Sequence, residues 1–247
     1  MRLSSGIRHH LWRAAMYAMP IPVLAKAKDS AYWQKHWGRN LPTKEFEGYA
    51  ASTELKRWFA KQMVALKPGS VLELGCNVGA NLREIHALDP SIKLYGIELN
   101  PHAIEWGQKN VVPAGTSLIN GSMADASSLM SEPVDIVFTS AAAMHCDDTI
   151  FGAAKMAALS IATKAIVHLE FNAWSPADLH NWRAWRSSFM SDRWIRDYVG
   201  EYRDQPHVDR IETIAVPMHV NFMDNIGRVM VSDVTGCVVA HLNPRMQ

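Results

Sequence analysis

The stretch Val71-Leu72-Glu73-Leu74-Gly75-Cys76-Asn77-Val78-Gly79 decides how the chain is read. An apolar run carrying one acid enters a glycine turn, and an amphipathic pattern begins near Ala80. A strand, a glycine turn and a helix in that order build a nucleotide-sized pocket at the carboxyl end of a parallel strand. The spacing here is acidic-x-Gly-x-x-x-Gly. A dinucleotide fingerprint requires Gly-x-Gly-x-x-Gly, and its second and third glycines would fall on Asn77 and Ala80. The pocket is therefore not of the dinucleotide kind.

Downstream, Leu82, Ile85 and Leu88 mark the buried face of a helix over 80–88, and Pro90 closes it. Ile92 to Glu98 reads as a second strand ending in an acid. A carboxylate at a strand tip accepts hydrogen bonds from both hydroxyls of a ribose. Glu98 lies one helix and one strand beyond Gly79, and the two features together are more specific than either alone. Pro101 opens the next helix in the favoured first-turn position, with Ile104, Trp106 and Val111 as its apolar residues. Ser117 to Met123 is a short strand followed by a turn, Val134 to Ser140 a fourth strand, and Ala165 to Asn172 a fifth. Asp135 stands at the start of its strand, away from the pocket edge, and reads as structural.

Upstream, Ser52-Thr53-Glu54 opens a helix through Leu55, Trp58, Phe59, Met63 and Leu66, and Pro68-Gly69 ends it. Residues 1–28 carry Arg2, Arg8, Arg13, Lys26 and Lys28 and no acid. Three readings stand for them: a helix packed on the body, a basic amphipathic helix on an anionic membrane surface, or a signal peptide. Two prolines, Pro20 and Pro22, break the apolar run that a signal peptide needs. The aromatic stretch 32–40 ends near Arg39, a candidate for holding an anionic acceptor.

With 247 residues the chain is long enough for one α/β domain with elaborations. A charge of +1 without a basic stripe gives no support to nucleic-acid binding. Cys76, Cys146 and Cys237 form neither a disulfide framework nor a metal cluster, so no metal is expected, and the sparse count suits a reducing cytoplasm.

The motif at 73–79, the acid at Glu98 and the alternation of strand and helix over 70–171 resemble class I S-adenosylmethionine-dependent methyltransferases. That ligand has no pyrophosphate, so the loop tolerates a side chain at Asn77. The resemblance implies a doubly wound, mostly parallel seven-stranded sheet, with an N-terminal helical extension (1–50) on a methyltransferase domain (51–247). Within that domain it implies a cofactor half at 70–145 and a substrate-covering helical insertion at 173–205. It implies S-adenosyl-L-methionine contacts from Glu73, Gly75, Cys76, Asn77, Gly79, Asn81, Glu98, Leu99, Ser122, Met123, Thr139 and Ser140, with Asp125 an alternative at the adenine turn.

A narrower similarity is to the methyltransferases associated with pseudaminic (nonulosonic) acid biosynthesis. It is carried by Glu73 to Gly79, by Thr139 to His145, and by Glu170-Phe171-Asn172 with Arg196 to Glu201 downstream. Ala141 stands where such members tend to have glycine, and Asp147-Asp148 replaces an Asn-Pro pair. The implied acceptor is a small polar molecule, sugar-like or acidic and methylated on oxygen. His145 and Glu170 are the candidate bases, and Asn172, Arg183, Arg196 and Arg39 the candidate acceptor contacts. A lipid or membrane-bound acceptor, and a non-catalytic cofactor-binding subunit, remain as alternatives.

Overall fold

The alternating elements assemble as one sheet in a computed structural model of the chain, which describes residues 43–173, 195–217 and 235–244. Among the described residues two helices precede the sheet, α1 (Thr43–Ala50) and α2 (Glu54–Ala65). Thr53 caps α2 by accepting a hydrogen bond from the Lys56 amide at 3.2 Å. The rest follows as β1 (Ser70–Leu74), α3 (Ala80–Leu88), β2 (Lys93–Glu98), α4 (Pro101–Asn110), β3 (Ser117–Asn120), α5 (Ala126–Leu129), β4 (Val134–Ser140), α6 (Asp148–Ile161), β5 (Ala162–Phe171), α7 (Tyr198–Arg203), β6 (Val208–Ile214) and β7 (Thr235–Leu242).

The seven strands lie in the order β3-β2-β1-β4-β5-β7-β6. β3, β2, β1, β4 and β5 are parallel, and β7 runs antiparallel to both β5 and β6. β6 and β7 complete the sheet with antiparallel pairing, and most of the insertion (174–194) lies outside the described residues.

Strand periodicity sorts the core into two layers. Val71, Ile136, Val167 and Val239 pack with Phe59 and Met63 of α2 and with Leu82 and Ile85 of α3. Their neighbours Leu72, Val137, Ile166 and Ala240 face the other way, onto Ala157, Ala158 and Ile161 of α6 and Tyr202 of α7. Leu88, expected on the buried face of α3, is 46% exposed. Each step of three residues turns a helix back by about 60°, so two steps carry position 88 off the stripe that Leu82 begins. In α4 the buried positions are Ala103 and Gly107, while Ile104 and Trp106 are half-buried. A Cβ at Gly107 would come within 2.6 Å of the Val78 carbonyl oxygen, so the small face lets α4 press on the loop after β1.

The amino ends of the central strands are pinned by Asp135. Its carboxylate accepts from the Gly69 amide at 2.6 Å and from the Thr163 hydroxyl at 3.0 Å, and pairs with Lys164 at 2.8 Å. Beside it the β4–β5 register shifts, with Val134 opposite Ala162 but Ile136 opposite Ala165. The structural reading of Asp135 agrees with this placement.

Candidate functional site

The loop after β1 folds back on the end of β2. The Gly75 and Cys76 amides both donate to the Ile97 carbonyl, at 2.8 and 3.1 Å. Gly75, Asn77 and Gly79 have φ of 75°, 49° and 77°. Left-handed backbone favours glycine, and asparagine is among the side chains that tolerate it best. This explains Asn77 in physical terms: the position needs a positive φ, and Asn supplies it while adding an amide. Gly75 has a second reason, because a Cβ there would lie 2.6 Å from the Ala142 Cβ on the loop after β4.

Glu98 ends β2 and ties this loop down. Its carboxylate accepts from the Asn77 amide at 2.8 Å and from the Asn100 amide at 2.9 Å. Burial raises its pKa, against the lowering by those backbone N–H groups. Leu99 follows it, with its carbonyl held by Asn120 at 3.0 Å. Glu73 is more extreme. It is 1% exposed and receives a hydrogen bond from the Asn81 amide at 2.6 Å. Burial pushes its pKa up to about 8.

Glu73 Oε2, Asn77 Oδ1 and Asn81 Oδ1 are buried without a hydrogen-bond partner. Buried acceptors in that state are costly, and each asks for a donor. A nucleoside joined to a cationic amino acid fits such a lining, since it brings hydroxyl and ammonium donors. The residues therefore fit the group that the resemblance implies.

Residues 71–160 match the family model described as a methyltransferase domain. Over that span the chain is similar to methyltransferase domains. Its fold agrees with three solved methyltransferase structures. An O-methyltransferase family protein from Burkholderia thailandensis aligns with a TM-score of 0.58 at 12% identity, over 98% of this chain and 72% of that one. Magnesium protoporphyrin IX methyltransferase from Synechocystis PCC 6803, solved with bound SAM, gives 0.58 at 11% identity, over 89% and 99%. The plantazolicin methyltransferase BamL, in complex with SAH, gives 0.56 at 13%, over 95% and 99%. No curated protein matches the chain in sequence. Identities this low establish the fold, a class I, Rossmann-like methyltransferase fold, and leave the acceptor open.

Around the loop after β1, Met123 borders Gly75, and its sulfur lies 3.4 Å from Cys146 Sγ. Ser122 caps its own turn, its hydroxyl accepting from the Ala124 amide at 3.2 Å. Asp125, the alternative to it, is exposed. Cys76 is buried with its thiol pKa raised by burial, and Ser140 is half-buried at the end of β4.

Beyond β4 the structure places three of the expected residues inside the fold. Glu170, a candidate base, has no exposed surface. One of its oxygens accepts from the Ala142 and Ala143 amides, both at 2.9 Å, and the other from the Met144 amide at 3.1 Å. Its carboxylate is used in holding the turn 142–145. Arg196, expected at an acceptor, is 4% exposed and grips the same turn from its carbonyl side, reaching Ala143 at 3.0 Å and Cys146 at 2.5 Å. It also meets Asp148 at 3.2 Å and lies 4.5 Å over the Phe151 ring. Asn172 is fully buried and accepts from the Tyr198 amide at 3.0 Å. All three are engaged in local structure, although the Asn172 side-chain nitrogen is buried without a hydrogen-bond partner. His145 ends the turn and is half-buried. Arg39 and Arg183 lie outside the described residues.

Thr139, expected at the cofactor, is 3% exposed, and its hydroxyl lies 2.8 Å from His168 Nδ1 and bonds Glu170. His168 Nε2 is 2.8 Å from the Tyr202 hydroxyl. Burial, with the Arg196 charge, lowers the His168 pKa to about 3, so the ring is neutral. If the Thr139 hydroxyl donates to Glu170, the chain is consistent with His168 donating from Nδ1 and accepting from Tyr202 at Nε2. Sequence reading missed this relay. Its one signal was a histidine inside an apolar parallel strand, which requires buried partners.

Proposed function

We propose that the protein is an S-adenosylmethionine-dependent methyltransferase acting on a small polar acceptor, sugar-like or acidic, at an oxygen. The observation that carries the reading is the acid pair Glu73 and Glu98, at the carboxyl ends of adjacent parallel strands on either side of a left-handed loop with unpartnered buried acceptors. The cofactor supplies a methyl group already activated on a sulfonium sulfur. The chain's own work is alignment and management of a proton.

Glu98 is the ribose acceptor in this reading, and Glu73 and Asn81 serve the amino-acid end. Met123 and Ser122 border the adenine side. His145 accepts the acceptor's proton, because it is a titratable side chain on the turn that abuts the glycine loop, and its ordinary pKa lies near neutrality. Glu170 and Arg196 are positioning residues for that turn. The similarity to pseudaminic acid-associated enzymes supports a sugar-like acceptor. The acid-free run of cations over 1–28 favours, as a second reading, an acceptor at an anionic membrane surface; flotation with anionic liposomes, against a chain lacking those residues, separates the two.

Calorimetric titration with S-adenosylhomocysteine tests the site. Glu98→Ala is expected to weaken binding by about tenfold or more, as loss of hydrogen bonds to a charged group does. Unchanged affinity in that variant removes the ribose assignment. Incubation of the protein and labelled cofactor with a metabolite extract, followed by mass spectrometry, identifies the methylated product.

A further inference from the structure

Among the described residues β6 ends the sheet, and only its inner edge is paired, to β7. Alternate residues of such a strand turn their backbone N–H and C=O groups to the open side, where another strand can pair with them. Natural sheets guard these edges with charge. The guard on β6 carries both signs, two residues apart. Arg210 and Glu212 share one face of the strand, 3.1 Å from each other, and their side chains are 58% and 45% exposed. His241 of β7 joins the group, 3.0 Å from the Glu212 carboxylate. Between the two charges, on the other face, stands the half-buried Ile211, opposite Ala240 of β7.

A row of like charges repels a second copy of itself, and this row does not. A two-fold axis normal to the sheet sets two β6 strands antiparallel, with matching faces together. Centred on Ile211, that pairing puts Arg210 opposite Glu212 of the second copy, and Glu212 opposite Arg210 of the second copy. Centred one residue either way, it sets Arg210 against Arg210 or Glu212 against Glu212. The register shift between Val208 and Arg210 ends the regular stretch, which works against longer slips. The strand thus selects one register with its own copy.

We propose that β6 is a self-association edge, through which two copies of the chain join their sheets about a two-fold axis at Ile211. Each Glu212 carboxylate then stands between Arg210 of its own chain and Arg210 of the second copy, and the two Ile211 side chains meet. The axis reverses strand direction, so the carboxyl ends of β1 and β2 face opposite ways in the two copies. β7, β5 and β4 separate β6 from β1. The loop after β1 therefore stays open in both, and the proposal is independent of the ligand that loop takes. Few residues are engaged, which puts the contact among small interfaces that exchange readily.

Sedimentation velocity of the full chain, from about 5 to about 500 μM, spans the range in which such an interface fills. The native chain is expected to pass from monomer to dimer across it. Arg210→Glu and Glu212→Arg each place like charges opposite one another and are expected to weaken self-association at least about tenfold. An equimolar mixture of the two variants restores opposite charges at both positions, and is expected to form a heterodimer at about native strength. The exchange of both residues within one chain restores homodimers and serves if either single variant does not fold. A native chain that stays monomeric throughout overturns the proposal and leaves the edge to a different partner. A dimer indifferent to both single variants, or variants that do not associate on mixing, overturns it as well.

Discussion

Two halves of one sheet place glutamates at the carboxyl ends of parallel strands and treat them in opposite ways. Glu73, on β1, has a single side-chain donor and an idle oxygen. Glu170, on β5, takes three backbone amides and a threonine hydroxyl. Both are fully buried, and burial raises the pKa of both. What separates them is completion. A buried carboxylate whose lone pairs are filled by its own chain is scaffold, and one left short of donors is a receptor. Residue type and place along the strand do not distinguish the two, but the inventory of hydrogen bonds does.

The comparison breaks most readily under Gln substitution. Glu170→Gln puts an amide donor against backbone donors, and is expected to cost about 3 kcal/mol by chemical denaturation. Glu73→Gln, which faces one donor and no backbone amide, is expected to cost less than about 1 kcal/mol near neutral pH. A reversed order would remove the distinction between scaffold and receptor. A smaller loss, about 2 kcal/mol, is expected for Arg196→Lys, because an ammonium lacks the planar fork that spans the Ala143 and Cys146 carbonyls.

His168 gives a sharper, pH-resolved effect of similar or smaller size. Its folded pKa lies near 3, well below the ordinary histidine value, so the unfolded chain binds a proton that the folded chain refuses. The contribution of the neutral ring is intact above about pH 6.5 and is lost progressively as pH falls toward 3. His168→Gln is expected to flatten that acid limb in melting temperature while lowering the plateau. An acid limb as steep as the native one would show that the ring titrates normally. The smallest effect belongs to the amino end, where Lys164 is half exposed: Lys164→Ala is expected to cost no more than about 1 kcal/mol, since Asp135 keeps Gly69 and Thr163.

The β1–β2 region was legible in the sequence because its signals are local. Gly75, Gly79 and Pro101 act through backbone torsion, and an acid closing a strand marks its own position. α3 runs over the residues its pattern predicts, 80–88. The region after β4 was less legible because its meaning lies in partnerships between distant residues. Glu170 and Arg196 have the right chemistry for a base and an anion holder. Only the fold reveals that both are committed to one turn, from strands and loops far apart in the chain. The small inner face of α4 was hidden for a related reason. Ala103 and Gly107 carry no hydrophobic signal, and it is the close approach of Val78 that makes them interior.

The register shift at the bottom of β4 and β5 has an effect at the top. It leaves Ser140 opposite Leu169, so Glu170 is the next residue out and meets the turn. Were the strands paired without that offset, Ser140 would face His168, and Leu169 would stand where the glutamate now does. A slip of one residue exchanges the two faces of a strand, turning an acid outward and a leucine inward. The extra residue near Asp135 thus works as a shim. Its thickness at one end of the sheet selects which side chain is dealt to the other, and an insertion or deletion there would rewrite the loop after β4 without touching it.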